Sequence, residues 1–342
     1  MSIQEELAST IQQLVRPGKG LLAADESNPT IAKRFAAVGV ESSEEKRREY
    51  RSLILSAPDL DAFISGVILF EETLGQNSLD NVPIPELLAN QDIVAGIKVD
   101  KGKGPLANAP GDEITFGLDG LYYRLEGYKN QGARFAKWRS VFNISDTLPS
   151  RQAIEANAEV LARYAATCQS IGIVPIVEPE VLMNGGHTIT RCADVSSDVL
   201  REVFHALSRH GVELESIILK PSMVTPGSDS AKASPEDVAE ATLRVLRRTV
   251  PAAVPAIYFL SGGQTPEEAT LNLNALNTIG HTQPWRLSFS YGRALQEPAQ
   301  KAWAGNLDNR LATQEAILKR ARLNGSASSG NYTPRMENGG FL

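Results

Sequence analysis

The chain has 342 residues, of which 42% are hydrophobic and 22% charged, with a formal charge of −6. This is ordinary globular composition; the negative balance offers nucleic acid no basic surface and leaves any acidic substrate to a local positive site. Cys168 and Cys192 are too few for a disulfide framework, no apolar run reaches the roughly 18 residues of a membrane helix, and MSIQEELASTIQQLVRPGKG lacks a charged-then-apolar signal region, so a soluble, cytoplasmic protein away from the membrane is expected.

Ile3, Leu7, Ile11 and Leu14 recur at helical spacing, and Pro17-Gly18 ends that first helix. Short apolar runs then alternate with helical patterns: GLLAAD (20–25), AFISGVILF (62–70), DIVAGIKVD (92–100), FAKWRSVFNIS (135–145), GIVPIVEPE (172–180), SIILKPS (216–222), AIYFLSGG (256–263) and RLSFSYG (286–292). Between them, SRQAIEANAEVLARYAATCQS and SPEDVAEATLRVLRR each open with a serine in N-cap position. ESSEEKRREY reads as a solvated helix start, with Glu and Lys/Arg spaced for helix pairs.

Strand–helix alternation implies a parallel sheet. Eight units fit an α/β fold of the closed (β/α)8 TIM-barrel type, which takes about 250 residues plus insertions. The rival is an open doubly wound sheet, usually marked by a glycine-rich nucleotide turn after the first strand; AADESNPT contains none. Residues 1–323 are therefore expected to form one catalytic barrel with an N-terminal helix. The small, polar segment NGSASSGNYTPRMENGGFL, 324–342, reads as a flexible tail.

A barrel's active site lies at the C-terminal ends of its strands. Here those ends carry Asp25, Lys98 and Asp100, Lys137 and Arg139, Glu178 and Glu180, Lys220, Ser261 and Arg293. Pairs two apart share one face of a strand, so the charged pairs point inward while Val99, Trp138 and Pro179 face the helices. Charge at one strand end is commonly just emergence into solvent; polar side chains at seven ends, six of them charged and of mixed sign, converge on a site.

Lys220 ends the apolar run SIIL and is followed by Pro221. Desolvated among Lys137, Arg139 and Lys98, its amine would have a lowered pKa and could attack a carbonyl to form an imine. The alternative is a rim lysine whose head snorkels to water. FLSGGQTPEEA and FSYGRAL end the seventh and eighth strands, where barrels commonly bind phosphate. Backbone amides at Ser261-Gly262-Gly263 and Gly292, with Arg293 as charge partner, suit that ligand. Opposite, DESNPTIAKR offers Ser27, Thr30 and Arg34 near Lys98 as a second phosphate pocket, or as simple N-capping of the next helix. His187, His205, His210 and His281 are scattered with no metal-ligand spacing, and both cysteines read as packing residues.

LLAADES, GIKVDKG, FAKWR, PIVEPE, LKPSMVTPG, FLSGGQ and SFSYGRAL, in order from about residue 5 to residue 334, resemble class I fructose-bisphosphate aldolase. The resemblance implies a Schiff-base barrel with no metal or other cofactor, working reversibly on fructose 1,6-bisphosphate in glycolysis, gluconeogenesis or the Calvin cycle. It implies Lys220 as the imine lysine, Glu178 as principal acid/base, Lys137 and Glu180 as its partners, and Asp25 as the group orienting the substrate hydroxyl. One phosphate would lie on Ser261, Gly262, Gly263, Gly292 and Arg293, the other on Ser27, Thr30, Lys98 and Arg139. It also implies a homo-oligomer, usually a tetramer.

Family members often carry serine where this chain has Thr30. Animal and plant members end in a tyrosine that assists proton transfer; this chain ends MENGGFL, and its last tyrosine is Tyr332. A mobile tail predicts that truncation after Arg322 leaves cleavage within a few-fold of the full chain. Two other readings remain, a transaldolase-like Schiff-base barrel, which needs one phosphate pocket, and a scaffold that binds without catalysis.

Overall fold

The computed structural model describes residues 2–279 and 282–339; His281 and the terminal Phe341-Leu342 pair lie outside the described residues. Among the described residues ten strands form: β1 (Gly20–Ala24), β2 (Ile64–Leu69), β3 (Val94–Lys98), β4 (Lys103–Pro105), β5 (Glu113–Thr115), β6 (Phe135–Phe142), β7 (Val174–Val181), β8 (Ile218–Leu219), β9 (Ala256–Phe259) and β10 (Arg286–Tyr291). Eight of them close into a parallel barrel in the order β1-β10-β9-β8-β7-β6-β3-β2, and β4 with β5 makes a separate antiparallel pair. Each of the eight apolar runs coincides with one barrel strand to within a few residues. The β4–β5 hairpin has no signature in the sequence.

Period-two alternation separates two apolar layers. Leu21, Val94, Phe135, Ile176, Ile218 and Tyr258 pack inside the barrel, while Leu22, Ile97, Trp138, Val177, Leu219 and Phe259 pack outward with the helices. The Phe135 ring needs room made by glycine: a Cβ on Gly96 would come within 2.3 Å of it. At the N-terminal end the barrel is stoppered by α1 (Ile3–Leu14), whose Leu7 and Leu14 join the inner layer. Tyr258 donates its hydroxyl to the Leu14 carbonyl at 2.9 Å and Ser65 donates to the same oxygen at 2.7 Å. The first helix thus has the expected span, but Ile3 is exposed, so its apolar stripe begins at Leu7.

The outer helices are α2 (Asn28–Ala36), α3 (Glu44–Leu55), α4 (Glu71–Leu74), α5 (Ile84–Ala89), α6 (Leu121–Asn130), α7 (Arg151–Ser170), α8 (Ile189–Arg209), α9 (Pro235–Thr249), α10 (Pro266–Thr278), α11 (Arg293–Trp303) and α12 (Arg310–Ala327). Ser150 and Ser234 cap α7 and α9, accepting from the Ala153 and Asp237 amides. The solvated reading of ESSEEKRREY holds only for its start: Glu49 and Tyr50, at its end, are buried in α3.

The flexible tail expected from residue 324 is corrected. The 323/324 boundary falls inside α12, and Asn324, Gly325 and Ala327 are buried there. Beyond it Tyr332 is buried, its amide donating to Asn274 Oδ1 of α10 at 2.9 Å and its hydroxyl to Glu337 Oε1 at 3.0 Å. Glu337 receives Arg320 of α12 on both oxygens, at 2.7 and 2.8 Å. Small polar composition concealed these anchors, because two of them, Tyr332 and Glu337, are single residues without periodicity. Truncation after Arg322 would therefore cut a packed helix, and the expectation of a neutral deletion falls with the mobile tail.

Candidate functional site

Barrel register brings the charged pairs together. Lys98 of β3 lies beside Lys137 of β6, and Arg139 of β6 beside Glu178 of β7. Val99 and Trp138, the residues between, are buried in the outer layer, and Pro179 faces Val199 and Leu200 of α8. Lys220 extends the β8 ladder, its amide donating to the Val177 carbonyl at 2.8 Å. Pro221 then removes the next donor and frees the chain from the sheet. Ile218 points inside, so Lys220, two residues on, points inside as well.

The lysine meets carboxylates there. Lys220 Nζ is 3.1 Å from Glu178 Oε1, and Lys137 Nζ is 2.7 Å from Asp25 Oδ2 and 3.1 Å from Glu178 Oε2. That last approach is off the direction of a hydrogen bond, so Glu178 Oε2 has no aligned donor and is open to take a proton. Lys137, Glu178 and Lys220 are buried. The expected nest of cations around Lys220 is instead an alternating array, since Lys98 pairs with Asp100 at 3.5 Å and Arg139 with Glu180.

This array fixes protonation. Burial alone would raise the Glu178 carboxyl; Lys137, Lys220 and Arg139 outweigh it and hold the group below its ordinary value. Asp25 is depressed likewise, burial opposing and Lys137, Lys220 and Lys98 prevailing. Lys137 is pushed up: burial favours its neutral form, and Asp25, Glu178 and Asp100 overcome that. Two carboxylates and a fixed ammonium therefore surround Lys220 at neutral pH.

The ends of the cleft differ. Arg293 opens α11 and donates to the carbonyls of Gly262 and Gln264 at 3.1 and 3.0 Å, so the loop after β9 and the start of α11 form one positive corner. The first amides of α11 have no partner within the helix. Gly262 has φ +51°, a left-handed conformation that glycine adopts freely. At the other end Ser27 is the N-cap residue of α2 but its hydroxyl caps nothing; it lies 3.0 Å from the Thr30 hydroxyl. Arg34 pairs with Glu26.

All of the sequence-selected residues except Gly263 line one cleft of about 440 Å³. Gly263 turns away toward Met183, whose methyl a Cβ would approach within 2.8 Å. A larger cleft, about 740 Å³, lies at the N-terminal end of β3, beside Gln13, Glu86, Asn130 and Arg134, and holds no lysine–carboxylate array. Among the described residues no group of three His, Cys, Asp or Glu side chains is arranged to hold a metal ion, and no helix is long and apolar enough to cross a membrane.

The family model for class-I fructose-bisphosphate aldolase matches residues 6–340. The chain belongs to that family. It is 53% identical to fructose-bisphosphate aldolase 5, cytosolic, of Arabidopsis thaliana over 96% of this chain and 92% of the relative. It is equally 53% identical to the fructose-bisphosphate aldolase of Drosophila melanogaster, again over 96% and 92%. A solved structure of the Plasmodium falciparum aldolase, in a ternary complex with TRAP and a small-molecule inhibitor, matches with TM-score 0.95 and 49% identity, covering 97% of this chain and 96% of that one.

Within this class-I aldolase barrel the sequence did not reveal Glu26. Its buried carboxylate takes Gln296 Nε2 at 2.7 Å besides Arg34, and its carbonyl takes the buried Arg51 at 2.7 Å. Glu26 follows Asp25 directly, where period two predicts an outward residue, and Arg51 comes just after the stretch that reads as solvated. Asp100 was visible as a strand-end carboxylate without a role; it binds Lys98 and accepts the Arg139 amide at 3.4 Å. Lys103 also lines the cleft from the unforeseen hairpin.

Proposed function

We propose that this chain cleaves fructose 1,6-bisphosphate reversibly through an imine on Lys220, without a metal or other cofactor. The observation that carries this is the Glu178 carboxylate spanning Lys220 and Lys137. Lys220, in its unprotonated form, adds to the C2 ketone of the open-chain sugar, and loss of water gives an iminium. The C3–C4 bond breaks, its electron pair passes to the iminium, and the C4 hydroxyl proton goes to a carboxylate. Glyceraldehyde 3-phosphate leaves. The enamine takes a proton at C3 and is hydrolysed to dihydroxyacetone phosphate, freeing Lys220.

Glu178 carries most of the proton traffic, because it is ionised, buried and within reach of the lysine nitrogen. Glu180 and Lys137 hold the neighbouring charges, and Asp25 orients the reacting hydroxyl. The phosphate shared by the ketose and dihydroxyacetone phosphate occupies the Arg293 corner with Ser261, Gly262 and Gly292. The second phosphate lies toward Ser27, Thr30, Arg34, Lys98 and Arg139. A one-phosphate, transaldolase-like reaction would leave that second group of cations without a ligand. We further infer a cytoplasmic homo-oligomer, a tetramer by family likeness, acting on sugar phosphates in central carbon metabolism.

Borohydride with dihydroxyacetone phosphate tests the core of this. It should inactivate the protein and add one triose phosphate to Lys220, found by peptide mass mapping, and activity should survive EDTA. Loss on chelation restored by zinc would sink the imine reading. Light scattering tests the tetramer.

A further inference from the structure

Lys103 reaches the cleft through β4, which stands on the rim rather than in the barrel. It pairs in register with Thr115 of β5, and Thr115 Oγ1 donates to the Arg139 carbonyl at 2.9 Å. Asn157 of α7 donates to the Glu113 carbonyl at 2.9 Å, and the Phe116 ring lies against Gly104, where a Cβ would come within 2.8 Å. The hairpin is thus fastened to the same strand that carries Arg139, and Lys103 shares the cleft wall with Lys98, Arg139, Ser27 and Thr30.

Its ammonium pairs with Glu113, at side-chain exposures of 38% and 27%. The other cations at this end also have partners, but those carboxylates are withdrawn from solvent: Asp100 at 5%, Glu180 at 10% and Glu26 at 5%. A solvated ion pair is weak and screened, whereas separating a buried one leaves an unmatched charge. Lys103 is therefore the cation that can exchange its carboxylate for a phosphate at least cost, and it stands on the side where only a second phosphate arrives.

We propose that Lys103 is a specificity-determining residue, drawing the second phosphate of a bisphosphate and so setting its preference over a sugar with one phosphate. This rests on the assignment of the second phosphate to the Lys98–Arg139 end. A monophosphate anchored at Arg293 presents no charge to Lys103. The bisphosphate presents a dianion, which takes the ammonium from Glu113.

The test is kcat/KM for fructose 1,6-bisphosphate divided by that for fructose 1-phosphate, a ratio unaffected by the fraction of folded protein. Lys103→Met should lower the ratio about threefold to tenfold, through KM, with a smaller effect at high salt. Lys103→Arg should restore most of it, and Glu113→Gln, which removes the competing carboxylate, should lower KM for the bisphosphate. Equal losses on both substrates, or a loss that arginine does not rescue, overturn the role of Lys103. Arg139→Ala separates the two levels of inference: if it changes the ratio and Lys103→Met does not, only Lys103 is misassigned. If neither changes it, the second phosphate itself is misplaced.

Discussion

Glu178 stands between two lysines of neighbouring strands, Oε1 at 3.1 Å from Lys220 Nζ and Oε2 at 3.1 Å from Lys137 Nζ. Since Lys137 also holds Asp25 at 2.7 Å, one ammonium keeps two carboxylates ionised beside the amine that must lose a proton. A carboxylate so placed accepts protons and returns them. Glu178→Gln keeps the size and removes that capacity, so kcat should fall about 100- to 10,000-fold. Borohydride labelling of Lys220 should persist at a reduced rate. Turnover near the wild-type value would move the proton steps to another residue.

Lys220→Arg should be inactive and unlabelled by borohydride with substrate, because a guanidinium stays protonated and cannot act as the amine. Labelling at Lys137 or Lys98 in the intact protein would overturn the assignment.

Lys137→Met should invert a pH dependence. In the intact protein the Asp25 and Glu178 carboxyls are depressed, burial opposing and Lys137 the largest lowering influence on each. A carboxyl depressed on folding stabilises the protein above its unfolded pKa, near 4, and the contribution is lost as pH falls through the folded value. Without Lys137 burial gains weight and both folded pKa values rise. Any carboxyl carried above its unfolded value stabilises only in acid and loses that contribution as pH rises. The variant should be destabilised by roughly 3–5 kcal/mol at neutral pH, and by less at about pH 5. Urea midpoints across pH check this; a constant offset would mean that Lys137 does not couple to the carboxylates.

Much of this site was legible because period two and strand-end position act together. Lys98, Lys137, Arg139, Glu178, Glu180 and Lys220 each follow an apolar run at a fixed phase, and closing the barrel suffices to gather them. Glu26, Lys103 and the Tyr332–Glu337–Arg320 anchor carry no such phase. Glu26 depends on contacts with Gln296 and Arg51, Lys103 on a short hairpin at the rim, and the anchor on single side chains, two of them beyond the end of α12. The charge environment of Lys220 was misread for a related reason: the strand ends told which charges converge, and only the geometry told that they alternate.

Arg293→Ala should raise KM for fructose 1,6-bisphosphate and fructose 1-phosphate alike, by about ten- to a hundredfold, since it removes a charged donor from the phosphate both share. Arg139→Ala and Lys98→Ala should instead fall more heavily on the bisphosphate. The reverse pattern would exchange the two pockets.

The last prediction concerns the segment after α12. Arg320 is buried, and its charge is met by Glu337, with the carbonyl of Pro266 taking a further bond at 2.7 Å. Lys319 Nζ also holds the Glu337 carbonyl at 2.6 Å. Truncation after Arg322 removes Glu337, the buried Leu323, Ala327 and Tyr332, and the end of the helix. Arg320 then keeps Glu267 as its carboxylate, at 3.9 Å, beside the Pro266 carbonyl and the Thr270 hydroxyl. Removing one partner of a buried pair costs about 3–5 kcal/mol before the lost packing is added. The urea midpoint should drop accordingly, and activity should fall with the folded fraction. Tyr332→Phe separates structure from chemistry, since it removes only the phenol that Glu337 engages at 3.0 Å. Burial and that carboxylate push the phenol's pKa up, so it does not ionise in the working range. The variant should lose about 1 kcal/mol of stability and keep proton exchange on dihydroxyacetone phosphate. Exchange lost by orders of magnitude at unchanged stability would make Tyr332 catalytic, and would require the segment to leave the place it occupies against α10 and α12.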